Sequence, residues 1–415
     1  MKTQTKIWFI SEVYHPDEQG TAFYTTGLAE GLAEHFPVGV LCSYPTVTAR
    51  GARVARKEVR NGVVVERCRG TTFNKDILVL RVVNLLTYSI ALFCAALARV
   101  GRGDVVIAVT SPPSAPFIAK LVCSLRRARC ILRLEDVYPD VLAAVGILGK
   151  KSFAFRCIEF INRSLYRHAD RIVVLGRDMK RLAEMKTGGR TGHIRIIRSW
   201  SDTDVISPSS RESNLLLTEL GLSGKFIVSC IGNIGRAQAV EVILEAVTHL
   251  QHDQDIHFLF IGSGAKREWL KAEASSRGLS NITVLDQRPR NDQANFLNAC
   301  DISIVSMVPG MTGVGVPSRT YNIMAAGKAI IALTGEESEV SLLVREEDIG
   351  WVVPPDNAEK LVKAILHARS EPATLQWMGQ RAAAAAREKF SRKKIIEEYH
   401  EMVNKLCPQL HHSQF

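Results

Sequence analysis

The sequence predicts an α/β chain of two doubly wound domains facing a central cleft. Apolar runs of strand length alternate with amphipathic segments from Lys6 to Leu333, the rhythm of βαβ units and parallel sheets. A polar, turn-rich stretch, SWSDTDVISPSSRESN from Ser199, interrupts that rhythm and reads as an interdomain linker. The length of 415 residues suits two domains of ordinary size, and 46% hydrophobic with 23% charged residues is a globular composition. The expected division is a first domain at 1–199, a linker at 200–224, a second domain at 225–375 and a C-terminal segment at 376–415.

In the first domain Lys6–Ser11 is a strand and Thr21–Phe36 a helix with Leu28 and Leu32 on one side. The loop between them closes on Gly20. In a doubly wound sheet, loops at the carboxyl ends of strands line the ligand crevice. Gly20 either admits a ligand close to the backbone or makes a plain tight turn. Val38–Cys42 and Val63–Arg67 are further strands, separated by a basic, turn-rich loop at Arg50–Arg60.

Ile77–Val100 carries no charge from Val82 to Ala98, short of the roughly 20 apolar residues of a spanning helix. It reads as a buried core helix or as a helix lying in a membrane interface. Spanning is disfavoured because α/β order resumes on both sides. Val105–Val109 is the next strand, the prolines of TSPPSAP open a helix to Leu125, and Cys130–Leu134 is again a strand.

Directly after it, Glu135, Asp136 and Asp140 crowd three carboxylates at a strand's carboxyl end. Such crowding raises a pKa and frees an acid or base for chemistry. Asp140 fits a helix N-cap equally well. Ser152–His168 and Gly176–Met185 are helices around the strand Arg171–Leu175, and Ile194–Ile197 closes the domain.

The second domain opens with Phe226–Ile231, the loop Gly232-Asn233-Ile234-Gly235, and a helix from Gln238 to Leu250. A strand, glycine loop and helix in this order cradle phosphate, and Arg236 stands at the mouth. Ile256–Ile261 with Gly262 and Gly264 repeats the pattern, and Ile282–Leu285 and Ile302–Ser306 are further strands. They lead to VPGMTGVGVPSRTYNIMAAGKAII, Val308–Ile331, where Pro317 heads a short helix and Gly327 ends it. A glycine loop aimed at a helix N-terminus is an anion site, and Arg319 adds a cation with bidentate reach. Ala329–Leu333 is a strand, and Ala358–Ala368 and Thr374–Leu406 are helical.

The run PSR-x-YN-x-MAAGK at Pro317–Lys328 resembles the nucleotide-sugar signature of family 4 retaining glycosyltransferases. It is most similar to the bacterial fucosamine transferase branch of surface-polysaccharide synthesis. GNIGRAQ resembles that branch's GN-x-G phosphate loop. Glu135–Asp140 resembles its D-L-W-P-E motif, with Asp136, Tyr138, Pro139 and Asp140 in the matching places.

The resemblance implies a GT-B fold of two Rossmann-like domains, with a last helix crossing back to the first. It implies transfer, with retention, of a sugar from a nucleotide-sugar co-substrate, without metal or other cofactor. The donor expected is UDP-linked, of the N-acetylated deoxyhexosamine kind. The acceptor expected is a saccharide, free or linked to polyprenyl diphosphate. Carried over residue by residue, Gly20, Asn233, Gly235, Arg236, Arg288, Pro317, Ser318, Arg319, Tyr321 and Asn322 bind the donor, Arg288 beside the uracil. Asp136 guides the acceptor hydroxyl, with Asp140 as a second catalytic carboxylate.

Two departures stand out. The family's E-x7-E falls on Val314 and Asn322, and a lysine common in the phosphate loop is replaced by Ala237 or Gln238. Arg236 and Arg319 are then expected to share the diphosphate charge.

Charge is uneven: residues 1–200 hold 31 Lys and Arg against 16 Asp and Glu, the remainder 22 against 26. A basic first half suits an anionic partner. Basic clusters without interleaved aromatic residues or a reading motif argue against nucleic acid and for an anionic membrane surface or a phosphate-bearing acceptor. Nine scattered cysteines lack metal-ligand spacing, and Asp202-Thr203-Asp204 in the linker reads as turn chemistry rather than a metal motif. The opening run MKTQTKIWFISEVYHP is too short for a secretory signal, so the expected location is cytoplasmic, peripheral to the inner face of the membrane. A nucleotide-sugar epimerase and a non-catalytic nucleotide-sugar binder remain as rivals. A dehydrogenase is disfavoured because no G-x-G-x-x-G opens the first helix.

Overall fold

The computed structural model describes residues 5–46, 48–71, 73 and 77–407. The first domain runs β1 (Ile7–Ile10), α1 (Gly20–Ala33), β2 (Val38–Ser43), β3 (Lys57–Arg60), β4 (Val63–Cys68), α2 (Leu78–Arg99), β5 (Val105–Val109), α3 (Ala115–Arg126), β6 (Arg129–Arg133), α4 (Asp140–Ala144), α5 (Phe153–His168), β7 (Arg171–Val174), α6 (Arg177–Thr187) and β8 (Ile194–Ile196). After α7 (Leu215–Glu219) come β9 (Phe226–Ile231), α8 (Val240–His249), β10 (Ile256–Ile261), α9 (Arg267–Ser276), β11 (Ile282–Leu285), α10 (Gln293–Asn298), β12 (Ile302–Ser306), α11 (Arg319–Ala325), β13 (Ala329–Leu333), α12 (Glu339–Glu347), β14 (Gly350–Val353), α13 (Ala358–Ser370), α14 (Pro372–Lys389) and α15 (Arg392–Leu406).

The first sheet has strand order β3-β4-β2-β1-β5-β6-β7-β8 and is parallel except at the antiparallel edge pair β3–β4. The second, β11-β10-β9-β12-β13-β14, is parallel throughout. Strands covered on both faces need near-continuous apolar sequence. VVIAV in β5, IHFLFI in β10 and AIIAL in β13 supply it and are buried along their whole length. On one face of the first sheet α1 and α15 pack through Leu28, Leu32, Ile395 and Tyr399. On the other, α2, α3, α5 and α6 pack through Leu92, Val122, Leu165 and Met179.

Two expectations need correction. Arg50–Arg60 is not wholly a loop, since Lys57–Arg60 forms β3. Its K-E-V-R sequence is too polar to signal a strand, but the buried Arg67 donates from Nη2 to Glu58 at 2.6 Å and holds it against β4. Nor is Thr374–Leu406 one crossing helix. α14 stays on the second domain, packing Ala382 and Ala386 beside Met324. Ser391 is extended, with ψ 151°, and α15 alone returns to the first domain. At Gly31 an added Cβ would lie 2.2 Å from Ile396 Cδ1, so α1 and α15 approach as closely as glycine allows.

Three helices of the first domain are tied by charge. The buried Lys186 of α6 pairs with Asp140 of α4 at 2.6 Å and with Glu159 of α5. Removing one partner of a buried ion pair leaves the others uncompensated, at about 3–5 kcal/mol. Lys186→Met is expected to lower the unfolding free energy by about that amount in urea titration.

Candidate active site

A cleft of about 710 Å³ opens between the domains. Loops that follow β1, β6, β9, β10, β11 and β12 line it, as the crevice rule for doubly wound sheets requires. Gly20, at the start of α1, stands across from Ser318, whose Oγ would lie 3.5 Å from an added Cβ. One turn on, Tyr24 donates from its hydroxyl to the Trp200 carbonyl at 3.1 Å.

The acidic segment after β6 is held from both domains. The Glu135 amide donates to Thr110 Oγ1 at 3.1 Å, and the Val137 amide donates to the Val314 carbonyl at 2.7 Å. Asp136 is thereby laid against Gly315, where a Cβ would come within 2.8 Å of Asp136 Oδ1. Glycine at 315 is what lets the carboxylate approach this strand-like loop. Beneath it, the buried Arg133 donates to the Tyr399 hydroxyl at 3.0 Å and pairs with Glu135. Glu135 is thus held in place beside Asp136. Burial first, and then the charge of Glu135, push the Asp136 carboxyl up to about 6.

From the second domain, Arg319 donates from Nη2 to the Asn233 carbonyl at 3.0 Å. A Cβ on Gly232 (φ 109°) would meet the guanidinium at 3.2 Å, so glycine there admits the arginine. Burial pushes Arg319 down to about 10, which leaves it cationic at neutral pH. Among the described residues no carboxylate pairs with it. Arg290 lies over the Phe23 ring at 3.2 Å and reaches Asp202 at 3.7 Å.

The expected residues divide in two. Gly20, Asp136, Asn233, Arg288, Pro317, Ser318, Arg319 and Asn322 are brought together on the cleft walls. Of these, Arg288 also pairs with Asp292, and Asn322 Oδ1 accepts from the Asp202 amide at 3.0 Å, which fixes the linker. Asp202-Thr203-Asp204 is accordingly a turn.

Gly235, Arg236, Tyr321 and Asp140 do not line the cleft. The Gly235 amide donates to Gln238 Oε1 at 2.9 Å and the Ile234 amide to the Ser263 carbonyl at 2.7 Å, so the loop satisfies much of itself. Arg236 projects into solvent beyond it. Tyr321 is buried and packs on Phe390. Asp140, expected as a second catalytic carboxylate or an N-cap, stands away from the cleft in the first turn of α4, paired with Lys186, and Pro139 holds the N-cap position.

The sequence assigned no role to Tyr24 or Arg290, counted Glu135 only among the crowded carboxylates, and left the second glycine loop outside the site, yet all four line the cleft. Gly262 presses against the first loop, where a Cβ would lie 1.8 Å from the Gly232 carbonyl oxygen. The repeated strand and glycine turn at Ile256–Gly264 was the available signal. Also unexpected is an apolar corner of the cleft, lined by Met307, Met311 and Val141 and backed by the buried Val314. Among the described residues no cluster of three or more His, Cys, Asp or Glu side chains could hold a metal ion.

Residues 19–200 match the glycosyl transferase 4-like domain, and residues 225–371 match the glycosyl transferases group 1 family. The chain is 28% identical over 360 residues to a Pseudomonas aeruginosa protein described as "Probable glycosyltransferase WbjE", covering 87% of this chain and 88% of that one. Among solved structures it is similar to the sucrose-phosphate synthase of Thermosynechococcus elongatus, at 16% identity and a TM-score of 0.78 over 98% of this chain and 100% of that one. It is also similar to Anabaena HepE in complex with UDP and glucose, at 15% identity and a TM-score of 0.74 over 97% and 100%. Sequence and fold thus agree on a glycosyl transferase 4-like domain followed by a group 1 glycosyl transferase domain, joined on the GT-B fold.

Proposed function

We propose that this protein is a retaining glycosyltransferase that moves a sugar from a nucleoside-diphosphate donor, UDP-linked, to a hydroxyl of a saccharide or polyprenyl-diphosphate-linked saccharide in surface-polysaccharide synthesis. One observation carries the reading. Arg319, which no carboxylate among the described residues pairs with, and Asp136, a carboxylate of raised pKa, line one cleft. The HepE structure with UDP shows that protein binding the nucleotide on the same fold.

In this reading the donor diphosphate lies on Arg319. The bond from the anomeric carbon to the phosphate oxygen breaks and leaves its electron pair on the diphosphate. The acceptor oxygen bonds to that carbon from the same face, and its proton passes to Asp136. Charge on the leaving group is greatest in the transition state, so the fixed cation stabilises it more than the bound donor. Met307 and Met311 replace hydroxyl-binding groups with apolar surface. This favours a sugar with an apolar substituent there, such as the methyl group of an N-acetylated deoxyhexosamine. No metal or other cofactor takes part.

The acceptor is met at the cytoplasmic face of an anionic membrane. Support comes from α2, which packs inward through Leu92 while Val79, Leu86 and Ile90 are exposed, Ile90 at 64%.

Asp136→Asn should lower kcat/KM by about 10²–10⁴-fold, the usual share of a general base. The unaltered enzyme should gain kcat/KM as pH rises through about 6 and then level off, since the base must be ionised. The raised pKa also means that the folded state holds the proton longer than the unfolded state. Its contribution to stability therefore falls as pH rises between the ordinary carboxylate range and about 6, and Asp136→Asn should flatten that slope in thermal melts.

Arg319→Ala should weaken UDP binding about 10- to 100-fold by calorimetry, the worth of a charge-assisted contact, with Arg319→Lys intermediate. Transfer should persist in EDTA. Interconversion of UDP-sugars without acceptor would instead favour an epimerase, and UDP binding without turnover a binding protein.

A further inference from the structure

The helices α2, α3 and α5 lie on one side of the first sheet, and their outer faces carry side chains of two kinds. On α5 the exposed stripe is Phe153, Arg156, Phe160, Arg163 and Arg167, at three- and four-residue spacing. Phe153 is 83% and Phe160 75% exposed. On α3, Leu121 and Leu125 are exposed as well. Between the two helices runs a groove of about 430 Å³ lined by Phe117, Leu121, Phe160, Ile161 and Leu165, with Lys120 and His168 also on its wall. It belongs to neither the cleft nor α2.

The charge on this face is one-sided. The three helices contain one carboxylate, Glu159, and it is held by Arg163 at 2.7 Å and by Lys186. Alternating aromatic and arginine side chains suit a boundary where rings enter hydrocarbon and long cationic side chains reach headgroups. A protein partner would have to match apolar residues and cations with carboxylates of its own. An anionic lipid supplies both halves in one molecule.

We infer that the groove between α3 and α5 takes one acyl chain of an anionic bilayer lipid, with Lys120 and the α5 arginines on its headgroup. The inference rests on the membrane reading above but assigns a second site on different helices. Two anchoring elements are what stable, oriented attachment requires, because a single one gives marginal binding. Anchored through α2 and through α3–α5, the first domain would keep a fixed orientation to the bilayer.

The test uses the full chain carrying Phe160→Trp, with phosphatidylglycerol vesicles brominated on the acyl chain. Expected are co-sedimentation with these vesicles but not with phosphatidylcholine ones, and quenching of the introduced indole beyond that of the unaltered protein. Leu121→Glu, at an exposed position, should weaken vesicle binding about tenfold, the effect of about 1.4 kcal/mol, and abolish the excess quenching. It should leave the UDP-induced thermal shift intact. Dihexanoyl-phosphatidylglycerol below its micelle concentration should compete with the quenching.

If Leu86→Glu on α2 releases the protein from vesicles while Leu121→Glu changes nothing, the membrane reading stands and the groove assignment falls. A change of oligomeric state in Leu121→Glu, without any lipid effect, would also overturn it in favour of a protein contact.

Discussion

Two chain crossings run side by side between the domains, and the cleft depends on the bonds they share. The Ser201 amide donates to the Phe390 carbonyl at 2.7 Å, joining the linker to the return path of the C-terminus. From the same few residues, Ser201 Oγ donates to the Tyr321 carbonyl at 2.8 Å and Asn322 accepts from Asp202. Trp200, fully buried, receives the Tyr24 hydroxyl and packs its ring on Tyr24 at 4.6 Å. The start of α11 and the start of α1 are therefore positioned from one seam. Farther along, Glu339, 1% exposed, accepts from the Arg177 amide and side chain and from Arg198. A buried carboxylate held by two arginines of the other domain fixes the domain spacing at that end.

This frame gives the electrostatics of the cleft their sense. Arg133 is engaged by Glu135 and Tyr399, and Glu135 in turn helps raise the pKa of Asp136. Arg319 is held by the Asn233 carbonyl, and among the described residues no carboxylate pairs with it. The cleft thus holds a carboxyl of raised pKa from the first domain and a buried arginine from the second. Val314, where the related signature carries a glutamate, is buried behind Met307 and Met311, so that corner of the cleft offers apolar surface in place of a carboxylate.

The excess of cations in the first half is also accounted for in part. Arg67, Arg133 and Lys186 are buried and answer carboxylates within the fold, whereas Arg126, Arg156, Arg163 and Arg167 lie on the outer helical layer. Net charge along a sequence merges these two populations. Burial separates them.

The sequence by itself determined the two parallel sheets, the linker, and the strand-to-helix connections at which Gly20, Asp136 and Arg319 stand, because period, glycine placement and strand-end position are local properties of the chain. Only the tertiary structure decided what each polar side chain meets. Asp140 and Asp136 stand four residues apart in one motif, yet one reaches Lys186 and the other the cleft. Tyr321 and Asn322 are neighbours, yet one side chain packs on Phe390 and the other fixes the linker. Glu58 made a strand of a polar segment by pairing with Arg67, and Ser391 ended a helix whose composition would have continued it. In each case the deciding partner lies on another element, and its direction is set by packing that no local pattern encodes.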